Sequence, residues 1–278
     1  MKKILATFLV LAAITPYAIV LAAETTNSHA TDMESGSSQF WSITDGTQTG
    51  LDLASTDFCI LSRIKLESLN NGDTFAIVGK RTSTGDQRQY YFYVQRTGGG
   101  QAQMGFQTAD SGTHFTDKTV NVTLSTGTYY RADFCFVNST SIGTFYLDGV
   151  SQGTGDFTGF TPIRNGGADF NIGRIADGVF YFDGLVDTVL IYSADIGSSG
   201  ISSYASDPCN PSTTNLVSWW QFNNDGTDSH GSNDLTNNNT ATFSTDTSYS
   251  CAVAENLIPT VWVNNGSVLI DNGSFIVQ

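Results

Sequence analysis

The sequence predicts an all-β protein, and three observations support this prediction. Residues 119–124 alternate between apolar and polar side chains, which is the period of a half-buried strand. The pair Asp148-Gly149 sits between alternating residues and indicates a tight hairpin turn. Glycine is frequent, with 28 residues, whereas proline is rare, with 5, as is typical of short strands joined by turns. Helical periodicity is weak, and we expect only one short helical turn within residues 196–205.

The first residues predict an export signal. Two lysines precede an apolar run over residues 4–23, which ends in the small residues Ala22 and Ala23. This pattern predicts a signal peptide over residues 1–23. The run is almost long enough to span a bilayer, so an uncleaved membrane anchor is the alternative. No later segment is apolar enough to span a membrane. We therefore expect a protein that is secreted, extracellular or at the cell surface, with residues 24–36 as a flexible lead-in.

The predicted strands follow one another at short intervals along the rest of the chain. In residues 57–66, for example, Phe58, Ile60 and Ile64 share one face, as an amphipathic strand requires. The predicted strands lie within residues 40–43, 57–66, 75–78, 90–95, 119–124, 129–137, 143–154, 170–175, 180–192, 216–222 and 241–243.

Two prolines, Pro208 and Pro211, interrupt this series. We interpret residues 209–251 as the closing segment of a domain over residues 37–251. The alternative is the start of a truncated second copy. Closure is favoured because a lone pair of strands is unstable.

The last residues, 252–278, predict a short β tail. Apolar runs at residues 261–263, 268–270 and 275–277 are separated by two Asn-Gly pairs, which favour two-residue turns. Such short strands do not fold alone. We expect the tail to pack on the main domain or on another chain, and self-association through it is a predicted mode of assembly.

The charge balance limits the partners of this protein. The chain has 12 lysines and arginines against 26 aspartates and glutamates, and its formal net charge is −14. Such a surface repels phosphates, so nucleic acid is excluded as a partner. Clustered aspartates, in contrast, suit calcium.

Four cysteines, an even number, predict two disulfides in an exported protein. Three connectivities are open. We favour Cys59–Cys135, because both residues lie in predicted strands that can be neighbours. We favour Cys209–Cys251, because both lie at the edges of one C-terminal segment. Each bridge stabilises a domain by about 2–4 kcal/mol. The spacing of these cysteines does not match a zinc site.

Several short motifs occur in a recognisable order. They are Ser38-Gln39-Phe40-Trp41, Leu51-Asp52-Leu53, Ala76-Ile77-Val78-Gly79-Lys80, Phe145-Tyr146-Leu147-Asp148-Gly149, Asn171-Ile172-Gly173-Arg174, Phe182-Asp183-Gly184 and Trp220-Gln221-Phe222-Asn223. Over residues 33–245 this order resembles the laminin-G-like, concanavalin A-like jelly-roll domains. The chain departs from the family pattern at Arg63, where the family often has a tryptophan, and its tryptophan strand comes last rather than first.

The resemblance implies a two-sheet antiparallel jelly-roll sandwich that binds glycans or proteins at a rim of loops or on a concave face. Many members of the family carry one calcium ion. Calcium prefers oxygen ligands, and residues 223–234 offer the richest local supply. Asp and Asn also form turns through their own backbones, which is the alternative reading of this loop. The candidate calcium ligands are Asp225, Asp228, Asn233, Asp234, Asp183 and Asp187.

Glycans bind to aromatic faces flanked by polar side chains. Residues 90–93 place aromatic rings on both faces of one predicted strand, so one pair packs in the core and the other faces outward. We expect Tyr91, Tyr93 and Arg88 to contact a ligand; the alternative is a tyrosine-rich surface without one. Trp219 and Trp220 point to opposite faces, so at least one of them should be core.

Catalytic residues are not indicated. The four glutamates, Glu24, Glu34, Glu67 and Glu255, do not cluster in sequence, whereas glycoside hydrolysis needs paired carboxylates. A Gly-x-Ser-x-Gly nucleophile motif is also absent from the sequence. The sequence therefore predicts a secreted non-catalytic binding module that binds carbohydrate with the help of calcium. The alternative is a structural or adhesive surface protein that mediates protein–protein contact.

Overall fold

The computed structural model describes residues 27–111, 113–251, 261–264 and 267–270. The predicted signal peptide, residues 1–23, lies outside the described residues. The first nine strands are β1 (Ala30–Met33), β2 (Phe40–Ile43), β3 (Phe58–Leu66), β4 (Thr74–Thr82), β5 (Gln87–Arg96), β6 (Ala102–Ala109), β7 (Phe115–Asn121), β8 (Tyr129–Val137) and β9 (Ile142–Leu147). The remaining elements are β10 (Val150–Asp156), β11 (Phe170–Ile172), β12 (Gly184–Tyr192), α1 (Gly197–Ser206), β13 (Leu216–Trp220), β14 (Thr236–Asn238), β15 (Thr242–Ser244), β16 (Val261–Asn264) and β17 (Ser267–Ile270).

Fifteen of these strands form two sheets. The back sheet has the order β10-β9-β8-β3-β12-β1-β15, and β13 also pairs with β12. The front sheet has the order β14-β2-β11-β4-β5-β6-β7. Neighbouring strands within both sheets are antiparallel. The predicted all-β, two-sheet antiparallel sandwich is confirmed.

An aromatic core fills the space between the sheets. Phe134 of the back sheet stacks on Phe106 of the front sheet, with 4.1 Å between ring centroids. Trp220 packs in the same core, 5.4 Å from the ring of Phe170. Trp219 points to the other side of its strand and is buried there. Both tryptophans are therefore buried, in agreement with the prediction that at least one is core.

The Asp148-Gly149 turn connects β9 to β10, as predicted. Both residues have positive φ, 50° and 81°, which a two-residue type I′ turn requires. The backbone N–H of Arg131 donates to the Asp148 carboxylate at 2.8 Å, so the turn is also tied to β8. Asp148 is thus a structural turn residue.

The segment predicted as a flexible lead-in, residues 24–36, contains a strand. β1 pairs with β12 on one side and with β15 on the other. The Thr31 hydroxyl accepts a hydrogen bond from the Trp41 indole at 2.8 Å, and Met33 is fully buried. The prediction was wrong because a strand of four residues is too short for its alternation to stand out from a polar segment.

Residues 209–251 contribute strands to both sheets. β13 pairs with β12, β14 pairs with β2 in the front sheet, and β15 pairs with β1 in the back sheet. The two predicted disulfides are present. Cys59–Cys135 joins residues directly opposite each other on β3 and β8, and Cys209–Cys251 joins the two ends of the closing segment.

Helix α1 covers the outer face of the back sheet. Its buried residues Ile201 and Tyr204 pack with Tyr192 and Trp219 in a second apolar cluster. The outer face of the front sheet carries no helix within the described part of the chain. In the same described ranges, no helix is both long and apolar enough to cross a membrane.

Part of the C-terminal tail is described. β16 and β17 pair with each other as a hairpin, with Val261 opposite Ile270 and Asn264 opposite Ser267. The third predicted run, residues 275–277, lies outside the described residues.

Candidate functional site

The outer face of the front sheet carries rows of side chains that cross neighbouring strands. In one row the Gln95 amide donates to Gln103 at 2.7 Å, and Gln103 donates to Asn121 at 3.0 Å. The next row runs from Tyr93 through Gly105, which the register places opposite it. This face therefore combines amide groups with aromatic rings.

Tyr91 and Tyr93 lie on this face, as predicted, but they are buried. Their rings stack with 4.9 Å between centroids, and only 5% and 2% of each residue is exposed. The Tyr93 ring covers Gly105, where a Cβ atom would lie 2.2 Å from the ring. The expectation of two open tyrosine rings is corrected, because close packing over a glycine hides them. The ring of Phe180 continues the stack, 6.1 Å from Tyr91, and Phe180 is 36% exposed.

Arg88 does not lie beside the two tyrosines. Its guanidinium lies 5.2 Å from the centroid of the Phe115 ring and 3.4 Å from the Asp86 carboxylate, at the end of β5. The cation over the Tyr91 ring is Arg81 of β4, at 5.4 Å. Sequence reasoning missed Arg81 because it comes from a neighbouring strand, and only the sheet register brings it to Tyr91.

A hydrogen-bonded polar network holds Arg81 in place. Its Nε donates to the Gln107 side chain at 2.8 Å, and its Nη1 donates to the Asp177 carboxylate at 2.7 Å. The Tyr93 hydroxyl donates to the Asp117 carboxylate at 2.8 Å. Burial raises the pKa of Tyr93 well above its ordinary value, so this hydroxyl stays protonated as a donor. Asp117 itself is exposed on edge strand β7.

The loop of residues 173–182 positions Phe180. Ile175 packs over Gly79, where a Cβ atom would come within 3.0 Å of the isoleucine side chain. The Ala76 N–H donates to the Phe180 carbonyl at 2.9 Å. Phe180 has φ 60°, which is an outlier for a bulky residue. We call Arg81, Gln107, Asp117 and Phe180 the front-face site.

The predicted calcium loop is built as a turn. The Asp228 carboxylate accepts hydrogen bonds from the backbone N–H groups of Trp219 at 2.9 Å, Gly231 at 2.9 Å and Asn233 at 3.0 Å, and from that of His230 at 3.1 Å. These bonds occupy the carboxylate. The alternative interpretation, in which the Asp and Asn residues of the loop form turns, agrees with the observed hydrogen bonds of Asp228.

The other three loop candidates are also engaged in local hydrogen bonds. Asn233 accepts from the Thr49 N–H at 2.7 Å, Asp234 accepts from the Asp228 N–H at 2.9 Å, and Asp225 accepts from the Thr227 N–H at 3.0 Å. Within the described residues, none of these side chains belongs to a group of three acidic, histidine or cysteine ligands within 4.8 Å.

Asp187 and Asp183 have hydrogen-bond partners outside that loop. The Asp187 carboxylate accepts from the Asn27 side chain at 3.2 Å and from the Ser248 N–H at 2.6 Å, so it links the N-terminal and the C-terminal segments of the domain. Burial raises the pKa of Asp187. Asp183 accepts from the Ser35 N–H at 3.0 Å.

An acidic cluster that the sequence did not reveal lies next to Asp183. Carboxylate oxygens of Asp32, Glu34 and Glu67 lie within 4.8 Å of one another. Burial raises the pKa of Asp32 and of Glu67, and the nearby charge of Asp183 raises both further. One Asp32 oxygen is buried without a hydrogen-bond partner. The sequence did not reveal this group because β1 and the end of β3 come close only in the folded sheet, where both strands pair with β12. Glu34 and Glu67, which directly follow these two strands, are brought together in the same way.

A donor set made of carboxylate oxygens fits calcium. One buried Asp32 oxygen has no hydrogen-bond partner, and the pKa of Asp32 and of Glu67 stays raised although the charge of Lys65 lowers it. Among the described residues, Asp32, Glu34 and Glu67, with Asp183 nearby, are therefore the carboxylates that fit such an ion best.

The fold and its open face define a jelly-roll β-sandwich protein. Residues 35–202 match the laminin G family profile described as the concanavalin A-like lectin/glucanases superfamily. The chain belongs to this superfamily. No curated protein matches it in sequence.

Three solved structures are among those similar to this chain. A native heptameric SAP-like pentraxin from Limulus polyphemus is 14% identical with a TM-score of 0.58, and the match covers 78% of this chain and 94% of the pentraxin. A candidate carbohydrate-binding protein from Bacteroides ovatus ATCC 8483 is 14% identical with a TM-score of 0.57, over 82% of this chain and 62% of that one. The CBM40 module of the Ruminococcus gnavus IT-sialidase, bound to α2,3-sialyllactose, is 13% identical with a TM-score of 0.49, over 65% of this chain and all of that module.

Proposed function

We propose that this chain is an extracellular, non-catalytic module that binds carbohydrate at the front-face site. The observation that carries the proposal is the exposed Phe180 ring beside a fixed polar network on an otherwise open sheet face. Membership of the lectin/glucanase superfamily supports a binding role. Two disulfides support an oxidising, extracellular setting.

The chemistry of the site suits a sugar. The Phe180 ring offers an apolar face for sugar C–H groups, while the exposed Asp117 accepts hydrogen bonds from hydroxyls; the buried Gln107 amide bonds to Arg81 and Asp117 and supports the site from below. An unusual backbone conformation at an exposed aromatic residue often marks a functional position. Because Arg81 and Asp177 already hold the network, little side-chain freedom is lost when a ligand binds.

We expect Phe180→Ser to weaken glycan binding about tenfold, a loss of about 1.4 kcal/mol. The serine removes the exposed ring but leaves the buried Tyr91–Tyr93 stack in place. Binding to a glycan array identifies ligands, and titration calorimetry on the best one measures the change. Val150→Ser is the matched control, because Val150 is 64% exposed on the β9–β10 hairpin of the other sheet.

Equal binding by wild type, Phe180→Ser and Asp117→Asn would place any glycan site elsewhere. Binding to no member of a broad array would reject the carbohydrate proposal itself. We also predict no turnover of β-glucans, because the acidic cluster of Asp32, Glu34 and Glu67 lies on the back sheet, away from the front-face site.

The proposed function includes a calcium ion held by Asp32, Glu34 and Glu67. When bound, the ion would neutralise their mutual repulsion and join the entry strand β1 to the end of β3. Its role would be to stabilise the sandwich rather than to contact the sugar, since these residues belong to the other sheet.

Addition of millimolar calcium should raise the melting temperature of the wild-type protein, and EDTA should reverse the rise. Glu67→Gln should abolish most of this response, whereas Asp225→Asn, in the loop singled out from the sequence, should retain it. The response should shrink as the pH falls, because the raised pKa values of Asp32 and Glu67 let protons compete with the ion sooner. A calcium response that survives in Glu67→Gln but is lost in Asp225→Asn would place the calcium site in the loop of residues 223–234 instead.

The second candidate function is a structural or adhesive surface protein. The observation that favours it is the β16–β17 hairpin, because two strands bury too little surface to be stable alone. A protein that lacks residues 257–278 should then lose the oligomers that size-exclusion chromatography shows for the full chain. If both forms elute as monomers, self-association through the tail is rejected.

A further inference from the structure

A groove of about 620 Å³ lies on the opposite side of the sandwich from the front-face site, between helix α1 and the segment of residues 207–215. Pockets of this size hold small ligands such as a monosaccharide or a disaccharide. The groove lies over the back sheet and is therefore separate from the front-face site and from the acidic cluster.

The floor of the groove is apolar and aromatic. It includes Tyr192 and Tyr204, which are almost fully buried, and the side chain of Ile196. Tyr192 and Tyr204 belong to the apolar cluster that anchors α1 on the sheet, and Ile196 packs against it. The floor is therefore rigid, and the half-buried side chain of Ile196 can take the C–H side of a sugar ring.

The walls of the groove carry hydroxyl, amide and carboxylate groups. Ser199 and Ser203 face it from α1, Asn210 and Ser212 face it from the returning segment, and Asp207 lies at the junction. The hydroxyls of Ser199 and Ser203 make no hydrogen bond to the described part of the chain. Lysine, arginine and histidine are absent from the described residues that line the groove. Carboxylates without a neighbouring cation repel an anionic ligand but accept hydrogen bonds from hydroxyls.

The returning segment is fixed before any ligand arrives. The Tyr192 hydroxyl donates to the Ser212 carbonyl at 3.0 Å, and the Asn210 amide donates to Asp207 at 3.2 Å. The Cys209–Cys251 disulfide ties the same segment to the end of the sandwich. A preformed wall reduces the entropy lost on binding.

We infer that this groove is a second binding site, and that its ligand is a neutral saccharide of one or two residues. The Ile196 side chain packs against the ring above the tyrosine floor, and the serine hydroxyls with Asp207 bind its hydroxyl groups. The inference is independent of the front-face site. If both sites bind, which also rests on the proposed function, one molecule presents two saccharide sites on opposite faces and can bridge two glycan chains.

The test uses the full chain and a fixed panel: maltose, cellobiose, lactose, xylobiose and mannobiose, with digalacturonic acid as the anionic member. Saturation-transfer NMR detects binding and titration calorimetry measures it. Ser203→Phe fills the groove from an exposed helix position. Ser202→Phe is the matched control, since Ser202 is also exposed on α1 but does not line the groove.

At least one neutral disaccharide should bind wild type and Ser202→Phe equally, and Ser203→Phe should weaken that binding at least tenfold. The loss caused by Ser203→Phe should be the same in the Phe180→Ser background, where the front-face ring is absent, and this separates the groove from the front-face site. Three results would each overturn the inference: no neutral member binds, digalacturonic acid binds more tightly than every neutral member, or Ser203→Phe binds as wild type does. Loss of front-face binding alone would overturn only the proposed function.

Discussion

Replacement of Lys80 by methionine should lower the free energy of unfolding by about 3 kcal/mol. Lys80 is fully buried, and its ammonium group lies against the carboxylates of Asp45 and Asp52, the latter at 3.1 Å. It also donates to the carbonyls of Gly166 and Ala168 at 2.9 and 2.8 Å. Methionine matches the shape of the side chain but leaves these oxygens without their cation. The effect should lie at the low end of the range for broken buried pairs, because Asp45 keeps partial access to water.

Urea-induced unfolding at neutral pH measures this change. Lys65→Met is the matched control, because Lys65 pairs with Asp246 at the surface and such pairs contribute less than about 1 kcal/mol. The triple variant Lys80→Met with Asp45→Asn and Asp52→Asn should recover part of the loss, since it removes the unpaired charges. A Lys80→Met protein as stable as Lys65→Met would show that the ammonium group does not hold together the segments that carry Asp45, Asp52, Gly166 and Ala168.

Asp228→Ala should also destabilise the protein by about 3 kcal/mol. The substitution removes the acceptor that four backbone N–H groups share, that of Trp219 in β13 and three in the loop after β13. Unsatisfied buried donors cost about 1–3 kcal/mol each, although part of this loop can relax toward water. Thermal and urea unfolding measure the loss.

Asp225→Ala separates a structural role from a metal-binding role. Asp225 is in the same loop but, within the described ranges, its side chain accepts only the Thr227 N–H, so its loss should cost less than about 1 kcal/mol. The difference between Asp228→Ala and wild type should be the same in calcium and in EDTA. A difference that disappears in EDTA would make Asp228 a calcium ligand and reject the turn interpretation.

Most strands were predictable because their side chains alternate, but some were not. β6 escaped detection because it is buried on both faces: Met104 and Phe106 face the core, while Gly105 lies under the Tyr93 ring. The alternation over residues 119–124 predicted a strand to Leu124, whereas β7 ends at Asn121. Val122 and Leu124 are nevertheless buried, so the alternation predicted the burial of these side chains correctly but placed the end of the strand too late.

The candidate site was only partly predictable. The alternation over residues 90–93 predicted one inward and one outward pair of rings, and Tyr91 and Tyr93 were expected to contact a ligand. Their burial, however, depends on Gly105 of the next strand and on the loop that carries Phe180. The aspartate-rich loop suggested calcium by composition alone. Its carboxylates are occupied by backbone N–H groups, which composition cannot reveal, and the acidic cluster is assembled from segments about 30 residues apart in the chain.

The sequence by itself determined the class of structure: an all-β sandwich, its Asp-Gly hairpin, the presence of two disulfides and the burial of at least one of the two tryptophans. These follow from local periodicity, turn chemistry and the number of cysteines, which act over a few residues. Only the tertiary structure decided which rings are open, which carboxylates meet and which face is left uncovered. Those properties depend on strand register and on the placement of α1 over one sheet, and neither is encoded by any single segment.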